Sequence, residues 1–130
     1  MRNGALRTWL FGLSGLHALA IASPVLSQPA REWPAYATLV SGQNTFCSNG
    51  GPVLIVEGEG TFTAMTRNKK LTGWSVPMAA DGSARADTKS AFVNRPVRIV
   101  VPAGTAPRMF ETVDLSQACR LRFDPDPGRK

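Results

Sequence analysis

Two glutamates, Glu57 and Glu59, are the residues of this sequence that come closest to a catalytic pair. On an extended chain, a spacing of two positions places both carboxylates on one face of the strand, roughly 7 Å from each other. This distance is near the spacing between the two acids of glycoside hydrolases. Those enzymes take their acids from different elements around a deep cleft, whereas this pair would face solvent. The pattern therefore favours a solvated strand face paired with arginines of a neighbouring strand. A carboxylate-based hydrolase ranks last among the functions that the sequence suggests.

Histidine and metal chemistry are restricted by composition. The single histidine, His17, lies in an N-terminal segment that we expect to be removed. Without histidine, most acid/base, nucleophile-activating and metal-binding arrangements are excluded. A calcium site built from Glu57, Glu59 and Asp87 would need further oxygen ligands for which the sequence offers no candidates. We therefore expect no catalytic residue, no metal and no cofactor.

The N-terminal segment has the pattern of an export signal. Arg2 and Arg7 precede an apolar run of 14 residues, Trp9 to Ala22, and two small-residue cleavage patterns end at Ala22 and at Ser27. The run is shorter than the roughly 20 residues that cross a membrane, and no cysteine follows it for a lipid anchor. The sequence predicts a signal peptide over residues 1–27, cleaved after residue 22 or 27, with no membrane span. We expect a periplasmic or secreted protein.

Cys47 and Cys119 are the two cysteines of the chain. In an oxidising compartment, two thiols far apart in a small domain are expected to form one structural disulfide. Closing a loop of about 73 residues would stabilise the fold by roughly 4 kcal/mol in the chain-entropy model. A redox pair, the alternative, would favour close Cys-x-x-Cys spacing, which is absent.

Residues 28–34 contain two prolines and are predicted to be a linker, followed by a β domain over 35–124 and a loose tail over 125–130. Val53 to Met65 is the longest strand candidate. Its alternation predicts one apolar inward face and an outward face with Glu57 and Glu59. The members of the predicted inward face are Leu54, Val56, Gly58, Gly60, Phe62 and Ala64.

The stretch from Leu71 to Thr88 is predicted to form two strands joined by a three-residue loop, Ala80-Asp81-Gly82, with Gly82 in the left-handed region. This register sets Met78 opposite Ala84 and leaves Arg85 and Asp87 in solvent. No part of the mature chain shows helical periodicity over ten residues. The predicted fold is all-β: a small single-domain sandwich or barrel of about six or seven short antiparallel strands with one disulfide.

Basic residues suggest a second kind of site. If their strands are neighbours, Arg98, Arg120 and Arg122 would form a positive stripe for an unknown protein or an anionic envelope component. Removal of the signal leaves 13 of the 15 basic residues against all 9 acidic ones, a net charge of +4. This modest charge, a single tyrosine and the lack of interleaved aromatic and basic residues argue against nucleic acid.

Several short motifs carry resemblances. Phe46-Cys47, the β run from Val53, Gly73-x-x-Val76 with Asp81-Gly82, and Cys119-x-Leu121 resemble small exported two-cysteine β domains of proteobacteria that are uncharacterised. This resemblance implies no activity.

The aromatic-Cys start, the central small-residue loop and the late cysteine are also similar to periplasmic inhibitors of C-type lysozyme. The resemblance implies that a loop with Ser and Gly and a nearby basic residue reach the acidic cleft of lysozyme. The counterpart here is a possible binding loop of Asp81, Gly82, Ser83 and Arg85, although Ala86 and Asp87 stand where those inhibitors have a tyrosine.

Because the sequence indicates export and one disulfide and offers no catalytic site, it predicts a non-catalytic, secreted or periplasmic binding domain of unknown ligand. A lysozyme-inhibitor-like protein is the alternative.

Overall fold

The computed structural model describes residues 30–42 and 47–126, which form eight strands and no helix. The strands are β1 (Arg31–Ser41), β2 (Gly51–Gly58), β3 (Thr61–Met65), β4 (Thr72–Pro77), β5 (Ala84–Ser90), β6 (Arg95–Val101), β7 (Phe110–Asp114) and β8 (Arg120–Pro125). The all-β prediction is confirmed, but the described strands number eight rather than six or seven. The predicted signal peptide over 1–27, residues 43–46 and residues 127–130 lie outside the described part.

The strands form one antiparallel sheet in the order β4-β3-β2-β1-β8-β7-β6-β5. Every strand pairs with its sequence neighbours except at the β4–β5 connection, and β1 also pairs with β8. β4 and β5, the two edges of the sheet, contact each other without a ladder. The sheet is therefore a nearly closed barrel, which decides between the two predicted architectures.

Antiparallel strands place successive connections at alternate ends of the barrel. We call one end the disulfide end; it carries the connections β1–β2, β3–β4, β5–β6 and β7–β8. The other, the hairpin end, carries the turn at residues 59–60 and the loops 78–83 and 102–109. This assignment determines which side chains meet inside the barrel.

The predicted single strand from Val53 to Met65 is wrong, because a two-residue turn divides it. Glu59 and Gly60 have positive φ values of 57° and 78°, which suit a tight hairpin turn. Glu57 and Phe62 become cross-strand partners and both point inward. Phe62 and Ala64 are buried as predicted, whereas in β2 the inward residues are Val53, Ile55 and Glu57 instead of Leu54 and Val56.

The connection between β4 and β5 contains the predicted three-residue loop, but the predicted pairing with Met78 opposite Ala84 is wrong, because β4 and β5 form no ladder and the Met78 amide donates to the Gly60 carbonyl. The Ala79 amide donates to the Ser83 carbonyl at 2.8 Å, and this hydrogen bond encloses the three residues 80–82. Gly82 has a φ of 89°, in the left-handed region. A Cβ on Gly82 would overlap the carbonyl oxygen of Gly104. The loop therefore requires glycine here both for its positive φ and for the close approach of the Gly104 backbone. Arg85 and Asp87 are exposed, as predicted.

The ends of the domain differ from the expected linker and tail. Residues 31–34 belong to β1, and Trp33 is buried, because its indole completes the barrel interior. At the other terminus, the Asp126 amide donates to the Pro34 carbonyl at 3.0 Å, and Arg67 lies 3.3 Å from the Asp126 carboxylate. Residues 125–126 are thus attached to β1.

Aromatic side chains fill the middle of the barrel. Phe110 stacks on Phe123 at 4.5 Å and meets Phe62 edge to face at 5.0 Å. Trp33 and Trp74 also contact Phe110, at 6.3 and 5.9 Å between ring centroids. Such ring geometries add to the stabilisation from apolar burial. We call these five residues the aromatic layer.

The disulfide between Cys47 and Cys119 is present, with a Cα–Cα distance of 5.4 Å, and confirms the predicted pairing. It joins the segment before β2 to the turn before β8. We expect Cys47→Ala to lower the free energy of unfolding by about 4 kcal/mol, because the cross-link closes a loop with a sequence separation of 72. Denaturant unfolding measures this loss, and reduction of the unmodified protein should reproduce it. Equal stability of the oxidised and reduced protein would contradict the prediction.

Candidate functional site

The interior of the barrel has three layers. A charged cluster lies at the hairpin end, the aromatic layer occupies the middle, and a cavity lies at the disulfide end. The charged cluster fills the interior at its end of the barrel, whereas the cavity leaves interior space at the other, so the two ends have different roles.

The charged cluster consists of Glu57, Arg108 and Trp33. Arg108 Nη1 donates to both carboxylate oxygens of Glu57 at 3.0 Å, and the Trp33 indole N–H donates to Oε2 at 2.6 Å. The side chains of Arg108 and Glu57 are only 10% and 8% exposed. Burial of two charges is tolerated because the pair is hydrogen bonded on several sides.

Arg108 also connects the loops of the hairpin end. Its Nη2 donates to the Gly82 carbonyl, its Nε donates to the Pro102 carbonyl at 3.1 Å, and its guanidinium lies 5.4 Å from the centre of the Phe62 ring. The side chain therefore closes this end of the barrel by linking the loops 78–83 and 102–109 to β2.

This arrangement corrects the reading of the two glutamates. Glu57 is 7% exposed and points into the barrel, whereas Glu59 lies exposed in the hairpin turn, so the pair does not share a face. The Glu57 carboxylate accepts hydrogen bonds from Arg108 and Trp33 and is the counter-ion of the buried Arg108 guanidinium.

The cavity at the disulfide end has a volume of about 370 Å³. Its walls are more apolar than polar, and the aromatic layer forms its floor through Trp74 and Phe123. The polar described lining residues are Ser48, Asn49, Thr66, Ser90, Arg95, Thr112 and Asp114. Phe92 reaches over β4, where Gly73 has no side chain because the ring occupies that space. The apolar described lining residues are Ala37, Pro52, Val53, Trp74, Phe92, Val93, Val97, Leu121 and Phe123.

An ion pair between Arg95 and Asp114 lies in the same cavity lining. Arg95 Nε donates to Asp114 Oδ2 at 2.5 Å, and Oδ1 accepts from the Ser116 amide and hydroxyl and the Gln117 amide at 2.9 to 3.0 Å. Burial alone would raise the pKa of Asp114, but the bonds from Arg95, Ser116 and Gln117 outweigh it and lower this pKa. Asp114 is therefore a fixed anion that orients Arg95.

Thr112 contributes a further polar group to the cavity. It is 5% exposed and lines the cavity from β7, two positions before Asp114. Within residues 30–42 and 47–126, its hydroxyl has no hydrogen-bond partner. Buried hydroxyls are normally hydrogen bonded, so this one marks a position where a ligand atom or a water is expected.

The predicted binding loop of Asp81, Gly82, Ser83 and Arg85 is tied to its neighbours. Asp81 Oδ1 accepts from the Ser83 hydroxyl at 2.6 Å and the Ser83 amide at 2.9 Å, which lowers the pKa of Asp81. The Asp81 carbonyl accepts from the Gly104 amide at 3.0 Å. The Asp81 loop is thus hydrogen bonded to the loop 102–109, and it carries the exposed carboxylate of Asp81.

The predicted basic stripe of Arg98, Arg120 and Arg122 lies on the outer face of the barrel, with β7 between the two arginine strands. Each of these arginines pairs with a carboxylate. The pairs are Arg98 with Asp87 at 2.7 Å, Arg120 with Glu111 at 3.0 Å and Arg122 with Asp124 at 2.9 Å. The six side chains carry no net charge, and the hydrogen bond from Arg98 lowers the pKa of Asp87.

Sequence reasoning missed Arg108, Thr112 and the role of Asp114. Arg108 lies in an irregular loop, so no periodicity indicates that it enters the barrel. The alternation Phe110, Thr112, Asp114 was a usable signal, because period-two spacing puts the two polar residues on the same face as Phe110. Asp114 two residues before Ser116 is also typical of a side chain that bonds to the following turn.

No group of three or more His, Cys, Asp or Glu residues able to hold a metal occurs in the described part of the chain. Nor do those residues include a helix with the length and apolar character needed to cross a membrane.

The charged cluster predicts a strong effect on stability. We expect Glu57→Ala to lower the free energy of unfolding by about 3–5 kcal/mol, because Arg108 would remain buried without its counter-ion. Glu111→Ala removes the partner of Arg120 on the surface, and we expect a loss of about 1 kcal/mol or less. The double variant Glu57→Ala/Arg108→Ala should lose less than the sum of the two single variants. Denaturant unfolding of the four variants tests this, and strict additivity would contradict the coupling.

Asp114 predicts a pH dependence. Its pKa in the folded protein lies below the ordinary value of 3.8, so the ionised form stabilises the fold above that pH, and this contribution disappears as the pH falls through the lower folded pKa. We expect Asp114→Asn to be less stable at pH 7 and to lose less stability than the unmodified protein between pH 5 and about pH 2. Unfolding measured across this range provides the test; parallel pH profiles would show that Asp114 is not the titrating group.

Comparisons with known proteins add no relative to this description. No family model matches the chain. No curated protein and no solved structure matches it either. The functional interpretation therefore rests on the cavity and its lining.

Proposed function

We propose that this chain is a non-catalytic binding protein of the periplasm or the extracellular space, and that its ligand is a small, largely apolar molecule held in the cavity at the disulfide end. The observation that carries the proposal is the cavity of about 370 Å³ inside a nearly closed eight-stranded barrel. Barrels of eight strands are just wide enough either to be filled by side chains or to hold one small ligand.

The size and walls of the cavity support this proposal. Its volume is more than twice the roughly 150 Å³ of an engineered apolar cavity that binds benzene, and it falls within the range of small-molecule sites. Trp74, Phe92 and Phe123 supply aromatic surface. A depression of about 450 Å³ at the hairpin end is bounded by loop residues such as Gly60, Ala80 and Gly104 and has no aromatic wall among the described residues, so it is the weaker candidate.

The state of the interior charges favours binding over catalysis. A general acid or base must exchange a proton with the substrate. Glu57 is held by Arg108 and Trp33, and four hydrogen bonds hold Asp114 as an anion. These carboxylates therefore serve as fixed charges that orient their partners.

The proposed location rests on two observations. The first 27 residues have the charge and apolar pattern of an export signal, and the disulfide between Cys47 and Cys119 is of the kind that persists in oxidising compartments.

The exposed Asp81 carboxylate argues against the lysozyme-inhibitor alternative. It would be repelled by the acidic cleft of a lysozyme, so we favour ligand binding in the cavity over inhibition by the Asp81 loop.

N-phenyl-1-naphthylamine, an uncharged fluorophore that brightens in apolar surroundings, tests the proposal. We expect the protein, expressed from its full coding sequence, to bind this probe saturably at one site. Val97→Phe places a ring in the cavity and should weaken probe binding about tenfold or more, whereas Val113→Phe on the outer face of β7 should not.

Thermal unfolding of both valine variants checks that each remains folded. Absence of saturable binding to the unmodified protein, or equal affinity of the two folded variants, would contradict binding in the cavity.

A further inference from the structure

The cavity combines apolar walls with a small polar region, and the chemistry of that region identifies a class of ligand. Among its described lining residues, Arg95 and Asp114 alone have charged side chains. Thr112 adds a buried hydroxyl without a described partner. The charged group available to a ligand here is the Arg95 guanidinium, because both carboxylate oxygens of Asp114 already accept hydrogen bonds.

Arg95 is held so that most of its donors remain available. Its Nε is bonded to Asp114, and within the described ranges no acceptor bonds to its two terminal nitrogens. A guanidinium has five N–H donors in a planar fork, which matches a carboxylate. Its side chain is 29% exposed, so the guanidinium is accessible from the cavity and from solvent.

Thr112 also favours a ligand with an oxygen atom, from a different position in the cavity. It lies two residues from Asp114 along β7, about 7 Å deeper in the barrel. A hydroxyl buried in an apolar cavity without a partner has lost its bonds to water, so a ligand oxygen within reach restores a bond. A plain hydrocarbon would leave the Thr112 hydroxyl without a partner and would make no use of the Arg95 charge.

We infer that the cavity binds an apolar monocarboxylate, with its carboxylate on Arg95 and its hydrocarbon body against Trp74, Phe92 and Phe123. This inference rests on the proposed function and names its ligand class. Asp114 acts as a positioning residue, because it fixes Arg95 through Nε and leaves the terminal nitrogens free for the ligand. A cationic ligand is disfavoured, since the free donors of Arg95 carry a positive charge and the Asp114 carboxylate is already paired with that charge.

Displacement of N-phenyl-1-naphthylamine by molecules with the same eight-carbon chain tests the head group. At pH 8, octanoate should displace the probe at a concentration about tenfold or more below that of 1-octanol, methyl octanoate or octylamine, because a charge-assisted bond to arginine is stronger than a neutral one. Equal displacement by octanoate and octanol, or strongest displacement by octylamine, would overturn the inference while the proposed function stands. Failure of the probe itself to bind would refute both.

Matched variants locate the effect. Arg95→Gln should reduce the preference for octanoate over octanol to about twofold or less; both ligands are compared on the same variant, so a change in its affinity for the probe cancels. Arg98→Gln removes an arginine of the same strand that also pairs with an aspartate but lies on the outer face, and it should keep both probe affinity and the full preference. Thr112→Val, which keeps the shape and removes the hydroxyl, should weaken octanoate binding severalfold.

Loss of the preference in Arg98→Gln but not in Arg95→Gln would place the carboxylate elsewhere and overturn the assignment. If Arg95→Gln does not fold, the comparison of octanoate with methyl octanoate on the unmodified protein decides, because the two differ chiefly in charge.

Discussion

The pairing of β1 with β8 is the interaction on which the interior of this protein depends. It joins the first and last strands, so every strand except β4 and β5 has a hydrogen-bonded partner on both sides among the described residues. A sheet that curls back on itself encloses a column whose width is determined by strand number, and eight strands leave a narrow one. Interior groups are then arranged by depth along the barrel axis, with the Glu57–Arg108 pair, the aromatic layer and the cavity following one another from the hairpin end to the disulfide end.

The hairpin end is closed by a charged side chain instead of an apolar one. Arg108 reaches Glu57, two loop carbonyls and the face of Phe62, so a single residue connects a strand, two loops and the aromatic layer. An isosteric apolar side chain could fill the same space but could not bond to the carbonyls of Gly82 and Pro102. Buried ion pairs are often no more stabilising than apolar packing, so the advantage of this one lies in fixing the loops 78–83 and 102–109.

How far the sequence predicted this structure depended on whether the signal was local. The disulfide follows from there being two cysteines, and the three-residue loop with Gly82 follows from residue types at short range; the structure contains both. The turn at Glu59-Gly60 was hidden because glycine recurs at two-residue spacing and continues the apparent alternation of a single strand. One missed turn reversed the predicted faces of β2 and moved Glu57 from solvent to the interior.

The site was less predictable than the fold, since it depends on contacts distant in sequence. Arg108 and Glu57 are 51 residues apart, and Arg95 and Asp114 are 19 apart. Trp33 lies between two prolines in an expected linker, and its indole N–H donates to the Glu57 carboxylate from β1 to β2. No pattern in a single sequence reports such partners.

The unfilled volume at the disulfide end has a thermodynamic consequence. A cavity lowers stability, because the groups around it lose contacts they would otherwise make. Cys47 and Cys119 both lie in its lining, and their bond ties the segment before β2 to the turn before β8. The covalent link stabilises the rim without occupying the interior. If apolar side chains supplied the same stability by filling the barrel, they would remove the space; a cross-link at the rim allows a small domain to remain folded around a cavity large enough for a ligand.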